Sequence, residues 1–185
     1  MQVEQSSWTT KSGWINNVSK NLSQTATFVL VFGSINEVSK DRLFLDIKDK
    51  YPNANILICS TAGEIIEDRV EDNAIVVTAM FFEKTKLNFV EIQVDEFKNS
   101  FDCGKEIASQ LDFENLKHVL VFSDGTMVNG DELVNSFNEL IPNDVIVTGG
   151  LAADDGNFVK TYVGLNNSPK PGSIVAVGFY GDDIS

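Results

Sequence analysis

The sequence repeats itself at an offset of 90 residues, and few folds can accommodate such a repeat. Val29-Leu30-Val31-Phe32 falls on Val119-Leu120-Val121-Phe122, Val38 on Val128, Asp41 on Asp131 and Leu43 on Leu133. Pro52-Asn53 falls on Pro142-Asn143, Ile56 on Ile146 and Ala62 on Ala152. After an insertion, Ile75-Val76 matches Ile174-Val175, and Phe81 matches Tyr180. Order and kind of element agree, so duplication is the better reading than chance.

Periodicity assigns the elements. Phe28 to Phe32 and Ile56 to Cys59 are continuous apolar runs, as in strands covered on both faces. Leu43, Phe44, Ile47 and Tyr51 follow helical spacing, with Ser39 as N-cap and Pro52 beyond the end. Ala74 to Phe82 and Lys86 to Val94 read as a strand pair joined through Glu83-Lys84-Thr85. Ile107 and Leu111 place a helix after Asp102. Trp14, Val18 and Leu22 recur every four residues, predicting a short helix in a polar lead over residues 1–26. No Pro- or Gly-rich linker divides the chain. The predicted fold is therefore α/β, with duplicated strand-helix-strand-strand units at 27–94 and 117–181. These form mixed β-sheet(s) flanked by helices, or alternatively a four-layer αββα sandwich.

Composition removes several function classes. The formal charge is -13 and only Arg42 and Arg69 carry guanidinium groups, which argues against nucleic acid as a partner. No apolar run approaches the roughly 18–20 residues of a membrane helix, and the N-terminus lacks a secretory pattern, so the expectation is a cytoplasmic chain with no membrane partner. Two cysteines, Cys59 and Cys103, do not make a disulfide framework. The single histidine, His118, leaves no two-histidine zinc site and only one histidine base. No catalytic residue, metal or cofactor is assigned.

The candidate site lies where the repeat places loops at strand ends. Cys59-Ser60-Thr61-Ala62-Gly63-Glu64 corresponds to Gly149-Gly150-Leu151-Ala152-Ala153-Asp154, and Ser123-Asp124-Gly125-Thr126 leaves a third strand. Ligands in α/β proteins commonly sit beyond such ends. Gly63 and Gly150 alone among these residues are read as free to take positive φ and turn backbone amides outward. In this reading Ser60, Thr61, Gly63 and Gly150 hold the acidic end of a zwitterion such as an amino acid, with Ser123 and Ala152 also in the ligand-binding set. Glu64 and Asp154 hold its ammonium, with Asp124 as a third contact. The alternatives are a hydrolase using Cys59 or Ser60, and an interaction module presenting Trp8 and Trp14. Against the first, Cys59 ends an apolar strand and its counterpart is Gly149, as for a buried structural thiol.

The same strings, "CSTAGEI" (59–65), "VLVFSDG" (119–125) and "GGLAADD" (149–155), resemble the N-terminal FIST domain in order and separation. The resemblance runs from about residue 27 to 181. It implies a sensory domain of signal transduction, found in prokaryotes and in eukaryotic F-box proteins and proposed to bind small ligands, amino acids among them. It also implies relay to a C-terminal FIST partner domain or a downstream signalling protein. The chain ends just past an apolar strand, so the expectation is that this partner half is missing.

Overall fold

Each of two β-sheets has one apolar face turned to the other and a second face covered by helices, giving four layers. A computed structural model describes residues 1–184. In chain order the elements are β1 (Gln2–Thr9), β2 (Gly13–Val18), β3 (Phe28–Ser34), α1 (Ile35–Val38), α2 (Asp41–Lys50), β4 (Asn55–Thr61), β5 (Glu64–Ile66), β6 (Arg69–Glu71), β7 (Ala74–Phe81) and β8 (Lys86–Gln93). After a 3-10 turn at Val94–Glu96 follow α3 (Ser100–Ser109), β9 (Leu116–Ser123), α4 (Gly130–Leu140), β10 (Ile146–Leu151), β11 (Val163–Leu165) and β12 (Ser173–Tyr180). The first sheet runs β11-β4-β3-β7-β1-β2 and the second β10-β9-β12-β8, while β5 and β6 form a separate hairpin. The sandwich offered as the alternative in the sequence reading is the architecture found. No helix among the described residues is long and apolar enough to cross a membrane.

Strand alternation explains the layers. In β3, Val29 and Val31 face α1 and α2 beside Leu43, Ile47 and Tyr51, while Phe28, Leu30 and Phe32 face the second sheet. In β9, Val119 and Val121 face α3 and α4 beside Ile107, Leu133 and Phe137, while Leu120 and Phe122 face inward. Phe28 packs edge-on against Phe89 and Phe179, at 5.5 and 6.5 Å between ring centroids, and Phe32 meets Phe122 at 5.4 Å. Such edge-to-face pairs add to the burial of apolar area.

The two sheets share a plan. β3 pairs parallel with β4 and antiparallel with β7, and β9 pairs parallel with β10 and antiparallel with β12. Phe32 stands opposite Val76 and Phe122 opposite Val175, the register the sequence repeat anticipates. The parallel pairs differ by one step. Cys59 lies opposite Phe32, but it is Gly150, not Gly149, that lies opposite Phe122. The connection through α4 is one residue longer than that through α2, which moves the match.

Three expectations are corrected. The lead over 1–26 is a β-hairpin, not a helix: β1 pairs with β7 along its whole length and with β2, setting Trp8 opposite Trp14. Backbone pairing at a sheet edge overrides a three-residue helical period. β7 and β8 do not pair, because β8 joins β12 in the second sheet and the 82–85 link crosses between layers. Ser39 closes α1, and α2 begins after Lys40 without a side-chain cap.

Phe28 sits where three rings meet, so Phe28→Ala should cost about 3–5 kcal/mol in urea unfolding and Phe28→Leu clearly less. Equal losses for the two variants would show that ring packing is not what joins the sheets.

Candidate functional site

The three loops do converge, and the segment 152–162 draws them together. Ala152 donates its N–H to the Ser123 carbonyl at 2.8 Å and Ala153 to the Ser60 carbonyl at 2.9 Å. Ser60 N–H donates to the Tyr162 carbonyl, and Tyr162 N–H returns to Ser60 Oγ, both at 2.9 Å. Gly125 N–H donates to Thr161 Oγ1 at 2.8 Å. One strap thus ties the end of β4, in the first sheet, to the end of β9, in the second. The hydroxyl of Ser60 and the backbone of Ser123 are spent on this junction, and both residues are buried.

All three carboxylates are occupied from within. Glu64, only 1% exposed, accepts the Thr61 hydroxyl at 2.7 Å and the Ala74 N–H at 3.1 Å. Burial pushes its pKa up, and the nearby Asp155 and Asp72 push the same way against those two donors. Asp124, 0% exposed, accepts Thr126 N–H and Met127 N–H at 2.7 Å, Thr126 Oγ1–H at 2.9 Å and Gly172 N–H at 2.9 Å. Burial alone would raise its pKa, but the donors together, led by Gly172, hold it below the ordinary value. Asp154, 3% exposed, collects Lys160, Val159 and Phe158 N–H groups at 3.0, 2.7 and 2.8 Å, and these lower its pKa. Each carboxylate organises its own loop, and none turns a free oxygen to a common centre.

The glycines divide. Gly63 has φ +122 and lets the chain turn from β4 into the β5–β6 hairpin. Gly150 is not at positive φ. Its neighbour Gly149 is, at +154, and a Cβ there would lie 1.8 Å from the Val121 carbonyl oxygen. The two nucleophiles weighed from the sequence, Cys59 and Ser60, are both buried. Cys59 is buried and its thiol is pushed up to about 12 by desolvation. His118 is bonded to Thr148 Oγ1 at 2.6 Å and stands five residues before Ser123 along β9, about 17 Å away.

Beside the junction lies an open groove of about 570 Å³ between α4 and β10. Val121, Leu133, Val134, Phe137, Val147 and Leu151 give it an apolar wall, with Ser123, Asn138, Thr148, Gly149 and Gly150 as its polar or backbone lining. Among the described residues no charged side chain lines it. Every residue of β10 is exposed, whereas β4, its counterpart, is buried along its centre and has β11 on its outer edge. Ser123 and Gly150 are the anticipated site residues that reach this groove. The α4 residues were missed, although Gly130, Val134 and Asn138 at spacing four, beside the uncharged run from Val145 to Ala153, carry the signal.

Two sheets face to face between helix layers, with a groove between α4 and the edge strand β10, make this an α/β sandwich. The model of the FIST N domain matches residues 27–185, and the chain belongs to the FIST family. FIST domains are sensory domains of signal transduction. No curated protein matches the sequence.

Asp124 stabilises the junction through its charge. Its lowered pKa means that this stability is present above the ordinary carboxylate range and is lost as pH falls through the lowered value. Asp124→Asn should therefore cost about 2–4 kcal/mol at neutral pH, and the gap from the parent should narrow on acidification. A gap that stays constant with pH in urea titrations would mean the carboxylate charge is irrelevant.

Proposed function

We propose that this domain receives a small metabolite in the α4–β10 groove and passes its occupancy to a partner domain or signalling protein. The observation that carries the reading is the groove itself: a concave, mainly apolar surface between α4 and β10 with a few hydrogen-bonding groups and, among the described residues, no charged side chain. It favours a ligand with an apolar body and uncharged polar groups. An amino acid bound in the loops would require Glu64, Asp124 or Asp154 to release internal donors. The relay is supported by position, since the uncovered edge of β10 borders the same groove and offers backbone groups to a partner.

Three further readings go with this one. The shared strand order and register of the two sheets support descent from one doubled unit. Two free, buried thiols fit a reducing cytoplasm. A hydrolase mechanism draws no support from Cys59, whose thiol is protonated at neutral pH.

A thermal-shift screen of small amphipathic metabolites tests the proposal. A ligand at a hundred times its dissociation constant adds about 2.7 kcal/mol. Val134→Asp and Leu151→Asp, at positions 53% and 51% exposed, should fold and abolish the shift. A shift that survives both substitutions would remove the groove as the site. In the same preparation, native Cys59 should react with iodoacetamide far more slowly than in urea, and rapid native labelling would revive the thiol enzyme.

A further inference from the structure

Among the described residues, one edge of the two main sheets is left open to pairing, and it is β10. Of the other edges, β11 is three residues long, and β2 meets β1 across a break in register between Gln5 and Ser6. β8 carries Lys86 and Glu91. Short strands, bulges and charges are the usual means of keeping an edge from pairing further. β10 has none of them. It pairs with β9 unbroken over 6 residues, and no charge or proline falls between Val145 and Ala153. Its apolar side chains are bare, with Ile146 59% and Val147 37% exposed.

The other half of the fold has such an edge already filled. β4, the counterpart of β10, carries β11 as an antiparallel strand, with Val163 opposite Cys59 and Leu165 opposite Leu57. On β10 the free backbone groups follow from alternation. Ala152 spends its N–H on the Ser123 carbonyl of β9, so Val147, Gly149 and Leu151 turn N–H and C=O outward. Their side chains face the groove, beside Val134 of α4. An antiparallel strand bonded to these three residues places its own bonded side chains on that same face.

A second copy of the chain fits this edge poorly. Phe32 of β3 meets Phe122 of β9, and β12 packs on β4 and β11. β10 therefore lies on the side where the first sheet continues through β7, β1 and β2. Two chains joined through β10 would carry both first sheets to one side of the shared pair, where those strands already extend. A single extended segment meets no such obstacle. Its charge is set as well. Gly130 lies against Leu151 with exposed Asp131 next to it in α4, and exposed Asp144 stands just before β10. The site is acidic at both ends and uncharged at its centre.

From these observations we propose that β10 takes up an extended segment of a partner protein, antiparallel to itself, with apolar residues at alternate positions and a lysine or arginine at each end. The segment's apolar residues bond through their backbone to Val147, Gly149 and Leu151 and cover Val147, Leu151 and Val134 with their side chains. Strand addition of this kind draws affinity from the backbone and specificity from alternate side chains. The proposal names the partner in the relay given above and rests on that reading for its signalling role, while the pairing itself needs no metabolite.

Fluorescence polarisation of the whole chain with a labelled, C-terminally amidated peptide Lys-Val-Thr-Val-Thr-Val-Lys tests this. The expected result is saturable binding in the absence of any metabolite. N-methylation of the valines, whose N–H groups face β10, should weaken binding about tenfold or more, and N-methylation of the threonines about twofold or less. Glutamate in place of both lysines should weaken it about fivefold, and Asp131→Asn with Asp144→Asn should remove most of that difference. No saturable binding overturns the proposal, as does equal loss from the two N-methylation patterns or a charge preference that survives both substitutions. A dimer in sedimentation that Val147→Lys converts to monomer would give the edge to a second copy and overturn it too. The metabolite screen contains no peptide, so the groove and the edge fail separately.

Discussion

The contact between the inner faces of the two sheets is the constraint from which the remaining architecture follows. Phe28, Phe32, Phe89, Phe122 and Phe179 fill that interface with edge-on rings. Once these faces are joined, the outer face of each sheet must be covered by helices, which fixes α2 over β3 and α4 over β9. The strand ends from both sheets are then brought to a common border, and the 152–162 strap occupies it. A groove remains between α4 and β10, at the uncovered edge of the second sheet.

Much of this was legible because it rests on local pattern. The apolar runs at 28–32 and 119–122 are β3 and β9, and the matched pairs Ile75-Val76 and Ile174-Val175 lie on β7 and β12, which hold equivalent antiparallel places beside them. What escaped depended on pairing across long stretches of chain. β1 is a polar sequence that becomes a strand because β7 offers an edge, and β11 is three residues long and exists by pairing with β4. Sequence proximity put β8 with β7, whereas its apolar residues Leu87 and Phe89 are needed in the space between the sheets.

The site was half legible for a similar reason. Spacing correctly brought the loops at 60, 123 and 152 together, but a carboxylate's partners are invisible in sequence when they are backbone N–H groups. Asp124 draws on residues 126, 127 and 172, and Asp154 on residues 158 to 160. Acidic residues at loop starts in a chain of charge -13 thus serve geometry as readily as recognition.

The 82–85 link and the strand β11 together have a topological consequence. The chain leaves the first sheet after β7, builds most of the second, returns to add β11 beside β4, and goes back to finish with β12. The two halves are therefore laced rather than placed side by side. A chain opened between Glu83 and Lys84 would yield one piece lacking an edge strand and another carrying that strand without its own sheet to hold it. Such pieces are complementary by construction, so the sandwich is at once a single cooperative body and a natural two-part assembly.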